Sequence, residues 1–86
     1  MYNKTTVVRC ESGLHNKQAT YFIQKANEFK SSIWIEAEER KINAKSLLGV
    51  LSMGIATDDV VTLTAEGPDE EEAVETLSEM LVRDIF

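Results

Sequence analysis

The 86-residue sequence has one cysteine (Cys10), one histidine (His15) and one proline (Pro68). A lone cysteine excludes an internal disulfide. One cysteine with one histidine is too small a ligand set for a multi-cysteine or structural zinc site. Only four glycines occur, at positions 13, 49, 54 and 67. No linker, repeat or low-complexity run separates them, so they read as punctuation within a single domain, 1–86. No apolar run approaches the roughly 20 residues of a membrane span, and Met1–Cys10 lacks an apolar signal core. The expectation is a cytoplasmic protein with no membrane insertion. No glycine-rich phosphate loop, Ser-His-Asp set or pair of catalytic carboxylates stands out, which argues against a stand-alone hydrolytic or metal enzyme and implies no cofactor. Cations are also scarce. Nine basic residues face fifteen acidic ones, for a formal charge of −6. That balance disfavours direct binding to nucleic acid or an anionic membrane, while leaving room for a local cationic patch on one face.

Hydrophobic residues, 43% of the chain, are spread along its whole length. Their periodicity marks the elements. Tyr2–Cys10 reads as a strand with Thr6, Val8 and Cys10 on one face, Lys4 extending that row outward. After Glu11-Ser12-Gly13 the period changes, and Ala19, Phe22, Ile23 and Ala26 form the stripe of an amphipathic helix starting near His15. Ser31-Ser32 marks a turn. Ile33, Ile35 and Ala37 then alternate with Trp34 and Glu36 in a half-buried strand, with Trp34 on the outer face as a cross-strand packing residue. Glu38-Glu39-Arg40 reads as a hairpin turn without the usual Asn-Gly chemistry, and Arg40–Asn43 as the return strand.

Ser46 precedes Leu47-Leu48-Gly49-Val50-Leu51 as the cap of a short apolar helix, weakened by Gly49. Thr57-Asp58-Asp59 turns the chain into a strand over Val60–Glu66, with Val61, Leu63 and Ala65 inward. Gly67-Pro68-Asp69 ends it. Asp69 then caps a final helix opened by Glu70, Glu71 and Glu72, which buries Ala73, Val74, Leu77, Met80 or Leu81, and Ile85. The order β-α-β-β-α-β-α, with one apolar face per strand, predicts an α+β open-faced β-sandwich: a four-stranded antiparallel sheet covered on one face by three helices.

His15 falls at a strand-to-helix junction, where free backbone N–H groups and the helix dipole favour a neutral imidazole and an anion upon it. A nucleophilic histidine and a plain capping or solvated one both fit that position. Lys17 would add a charge close to a bound phosphoryl group. From its spacing Ser46 reads first as an ordinary N-cap, and its functional reading is a phosphorylation site beside a leucine patch. Leu47, Leu48 and Leu51 cannot all point inward on so short a helix, so at least one is left for a partner. Cys10 reads as a small buried apolar side chain.

The segment Gly13-Leu14-His15-Asn16-Lys17-Gln18-Ala19-Thr20 resembles the active-site motif of HPr, the histidine-containing phosphocarrier family of the bacterial sugar phosphotransferase system. Residues Asn43 to Gly54 resemble that family's regulatory-serine segment, and Gly67, Asp69, Glu70 and Ala73 match its third landmark. The spacing agrees without gaps over nearly the whole chain. The resemblance implies a phosphocarrier. Enzyme I would pass a phosphoryl group from phosphoenolpyruvate to His15, which would hand it to the IIA components of sugar transporters. It also implies phosphorylation of Ser46 by HPr kinase/phosphorylase, followed by binding to a catabolite control protein. The docking surface implied comprises Thr20, Leu47, Leu48 and Leu51.

The sequence also departs from the family pattern. Family members usually read His-Ala-Arg-Pro where this chain has His15-Asn16-Lys17-Gln18. Lys17 keeps the charge but lacks the planar fork that grips phosphate oxygens bidentately. Gln18 replaces a proline that would fix the first helical turn. The retained histidine favours a carrier, since the related Crh-like regulatory proteins lack it. The altered surroundings favour the alternative, a Crh-like regulatory module of carbon catabolite repression working through Ser46.

Overall fold

The structure is a computed structural model that describes residues 1–10, 13–14 and 16–83, except for the side chain of Asn16. The elements run β1 (Tyr2–Val7), α1 (Asn16–Ala26), β2 (Ser32–Ala37), β3 (Arg40–Asn43), α2 (Leu47–Ser52), β4 (Val60–Glu66) and α3 (Glu70–Arg83). The four strands form one antiparallel sheet in the order β1-β4-β2-β3.

Alternation places Val61, Leu63 and Ala65 of β4 and Ile33 and Ile35 of β2 on the helix side, all fully buried. Phe22, Ala19 and Ala26 of α1 and Ala73, Val74, Leu77 and Leu81 of α3 close the core over them. Both Met80 and Leu81 are buried. Ile85 lies outside the described residues. The opposite face of the sheet carries no helix, which makes the sandwich open-faced as expected.

Three local features differ from the sequence reading. β1 ends at Val7 rather than Cys10, because the Arg9 amide turns to the Leu81 carbonyl of α3 at 2.8 Å. Cys10 is nevertheless buried, its thiol directed at the same carbonyl. Ser32 belongs to β2 and not to a turn. Asp69 stands before α3, and its carbonyl accepts the Ala73 amide. Its carboxylate, however, does not cap that helix. It accepts from the backbone amides of Lys30 and Ser31, at 2.9 and 3.0 Å, and from the Ser31 hydroxyl, tying the α1–β2 loop to the start of α3. Glu70 takes over at the helix end by accepting from the Gly67 amide at 3.2 Å.

The first turns of α3 also hold β1. The Tyr2 hydroxyl and the Lys4 ammonium both donate to Glu75, and the N-terminal amine pairs with Glu70 at 3.0 Å. The Ser31 hydroxyl and Lys30 amide hold the Asp69 carboxyl below the usual carboxylate range. The Gly67 amide lowers Glu70, and the Tyr2 hydroxyl and Lys4 lower Glu75. The same Glu75 contact pushes the Tyr2 phenol upward.

Candidate functional site

The approach to α1 is fixed by Gly13. Its φ of +67° favours glycine, and a Cβ there would sit 2.4 Å from the Ile55 carbonyl oxygen. The Gly13 amide donates to Cys10 O, and the next amide, Leu14, donates to Ile55 O at 3.0 Å. The Thr57 hydroxyl also donates to Cys10 O. Leu14 is buried, so the chain entering α1 is pinned to the segment between α2 and β4. His15 itself lies outside the described residues, as do Glu11 and Ser12. Lys17 and Thr20 are exposed on α1, with Tyr21 beside them.

α2 packs against α1 and β3. Ser46 is its N-cap in extended geometry (φ −100°, ψ 114°), and its Oγ accepts from the Gly49 amide at 3.1 Å. The Ser46 carbonyl accepts from the Val50 amide at 2.9 Å. At the other end, the Arg40 guanidinium of β3 donates to the carbonyl and hydroxyl of Ser52, a cation placed on the negative end of the helix dipole. Gly49, a weak helix former by propensity, is explained by packing: a Cβ there would lie 2.5 Å from Ile42 Cγ2 of β3.

Only Val50 of α2 is buried. Leu47, Leu48 and Leu51 are 40%, 82% and 36% exposed, so all three leucines face outward, not merely one. On a six-residue helix this leaves an apolar outer side beginning directly at the capping serine. Thus Ser46 and the three leucines share one short element, and Lys17 and Thr20 lie on the helix packed against it. Two features escaped the sequence reading. The Arg40–Ser52 contact links residues twelve apart with no local signal. The role of Asp69 as a tie to Ser31 spans thirty-eight residues.

Among the described residues no cluster of histidine, cysteine and carboxylates is arranged to hold a metal ion. None of the described helices is long and apolar enough to cross a membrane.

An α+β open-faced sandwich that displays a capped serine and an apolar short helix on its surface is the class that the fold and the site define. The comparisons give that class its family. The profile described as "PTS HPr component phosphorylation site" matches residues 2–83. The HPr-like protein Crh of Halalkalibacterium halodurans is 43% identical over 77 residues, covering 90% of this chain and 92% of that protein. Crh of Bacillus subtilis is 41% identical over 78 residues, covering 91% and 92%. The crystal structure of the phosphocarrier protein HPr from Bacillus anthracis superposes with a TM-score of 0.92 at 39% identity, covering 93% of this chain and 95% of that one. The chain belongs to the HPr family.

Proposed function

We propose that this protein is a regulatory module of the HPr family, switched by phosphorylation of Ser46 and read by a catabolite control protein docking on α2. The observation that carries this reading is the position of Ser46. It caps α2, and the helix it caps turns Leu47, Leu48 and Leu51 to solvent. Likeness to two Crh proteins at 43% and 41% identity supports the same reading. In the modifying step the Ser46 hydroxyl attacks the γ-phosphorus of ATP. The bond to ADP breaks, and the hydroxyl proton passes to a base of the kinase. The resulting dianion sits on the positive end of the α2 dipole, so it leaves the helix in place while adding charge next to the leucines. A partner with a cationic rim and an apolar centre then gains both contacts together.

A second reading, a phosphocarrier working through His15, is favoured by the histidine's presence within the matched segment Gly13–Thr20. There a phosphoryl group from enzyme I would be held on His15 with Lys17 close by, and IIA components would collect it. One comparison separates the two. Incubation with HPr kinase and labelled ATP is set beside incubation with enzyme I and labelled phosphoenolpyruvate, with Ser46→Ala and His15→Ala as controls. The proposal expects an acid-stable label lost in Ser46→Ala. An acid-labile label lost only in His15→Ala, with no kinase-dependent label, would replace it with the carrier.

A further inference from the structure

In this acidic chain most cations are spoken for. Lys4, Arg9, Lys25 and Arg83 are ion-paired with carboxylates, and Arg40 is bound to Ser52. Three others, Lys30, Lys41 and Lys45, gather around Trp34 at one corner of the sheet, and among the described residues none of them pairs with a carboxylate. Glu36 faces Lys41 in the β2–β3 ladder, yet the Lys41 ammonium lies over the Trp34 ring, 5.2 Å from its centroid. Beside the indole is a cleft of about 160 Å³ whose polar lining includes Lys30, Ser32, Asn43 and Lys45.

The chemistry of that lining is one-sided. The Lys45 ammonium gives one hydrogen bond to Phe29 O at 2.7 Å and keeps two further donors. The Asn43 Oδ1 is engaged by the Lys45 amide at 2.8 Å, which leaves its NH₂ as the free end. The Asp69 carboxylate, which meets the Lys30 and Ser31 amides, is already taken up by the hydrogen bonds described above. The lining thus offers ammonium, amide and hydroxyl donors, the set that suits phosphate oxygens. Glu66, which faces Ser32 in the β2–β4 ladder, limits how much negative charge the corner accepts. The cleft is smaller than the roughly 300–1,000 Å³ of ordinary small-molecule pockets. It has room for a phosphate and a sugar, while anything planar attached to them must lie on the open face. Trp34 is the surface there: its ring face is open enough to take the Lys41 ammonium in a cation–π contact, and an indole face also suits a stacked base.

We infer that this corner binds a nucleoside monophosphate. The phosphate lies between Lys30 and Lys45, the ribose is against Ser32 and Asn43, and the base stacks on Trp34 in place of the Lys41 ammonium. The site is on the sheet and separate from the α2 surface. It is joined to the Ser46 cap by the turn in which Asn43 O accepts the Ser46 amide at 3.0 Å.

Trp34 is the only tryptophan, so its fluorescence reports the site without a label. The full chain is titrated with AMP, adenosine, ribose 5-phosphate and inorganic phosphate, with excitation at the red edge of the indole band. AMP is expected to quench saturably, and each of the other probes to bind at least about tenfold more weakly for want of one contact. Lys30→Gln, at an exposed side chain, and Lys45→Gln are each expected to weaken AMP by about tenfold while Lys25→Gln has no effect. Added salt should weaken it further. Absence of saturable quenching into the tens of millimolar overturns the proposal. So does AMP binding that survives both lysine substitutions, or inorganic phosphate or ribose 5-phosphate binding as tightly as AMP, which would leave the indole without a role.

Discussion

Replacing Glu38-Glu39 by Asn-Gly should stabilise the fold. The β2–β3 hairpin closes with only these two residues between the paired Ala37 and Arg40. Both have positive φ, 49° and 68°. The type I′ turn of a two-residue hairpin demands that geometry at both positions because it matches the strand twist, and Asn-Gly is the pair that adopts it most readily. A Cβ in this region crowds the following carbonyl oxygen and costs about 1–2 kcal/mol per residue. Glycine at the second position removes about that much, and asparagine at the first removes part. Glycine's extra freedom in the unfolded chain takes back about 0.5 kcal/mol. The net gain is about 1 kcal/mol, which for a domain of this size raises Tm by about 4–8 °C. Thermal melts and urea curves with unchanged slope measure it. The control is Gln-Gln, which removes the two charges but keeps the backbone cost and should gain no more than a few tenths of a kcal/mol. Equal stabilisation by Gln-Gln, or none by Asn-Gly, would refute the backbone argument.

Gly13→Ala should lower the urea midpoint by the equivalent of about 2–3 kcal/mol, since it combines an unfavourable φ with overlap on a backbone oxygen. Ser46→Ala, deprived of the bond to the Gly49 amide, should lose about 1 kcal/mol in the same assay, and Ser46→Asp should regain most of it. Asp69→Asn should destabilise the fold at neutral pH and raise hydrogen exchange at the Lys30 and Ser31 amides. Asp69, Glu70 and Glu75 all titrate below their ordinary range when folded, so the unfolded chain binds more protons below about pH 4. Their stabilisation is full at neutral pH and is lost as pH falls through about 4 towards the folded values. The urea midpoint against pH should show that fall, and Asp69→Asn should make it shallower.

The fold was legible because its signals are local and periodic. Val61, Leu63 and Ala65 alternate, Ala19, Phe22 and Ala26 recur at helical spacing, and Ser46 precedes an apolar run, so strands, helices and one cap could be read directly. The site was legible in part. That at least one α2 leucine would be exposed followed from the helix being too short to bury them all, whereas the exposure of all three did not. What escaped were contacts between distant residues. Asp69 looks like a cap from its neighbours alone, but the amides of Lys30 and Ser31 are better placed for its carboxylate. Gly49 looks like a weak spot until Ile42 is known to lie against it. The gathering of lysines around Trp34 was open to the sequence only as a general allowance for a basic patch. It depends on β2 pairing with β3 and on the loop after α1 folding back beside them.

The central claim joins Ser46 and the outer side of α2 into one docking surface. Its most direct test is calorimetric titration of a catabolite control protein with kinase-phosphorylated protein, comparing the wild type with Leu48→Asp. Leu48 is 82% exposed, so the change should leave the melting temperature nearly unaltered. The phosphorylated wild type should bind, and phosphorylated Leu48→Asp should bind at least about tenfold more weakly. Equal affinity of the two, or equal affinity with and without the phosphoryl group, would contradict the account.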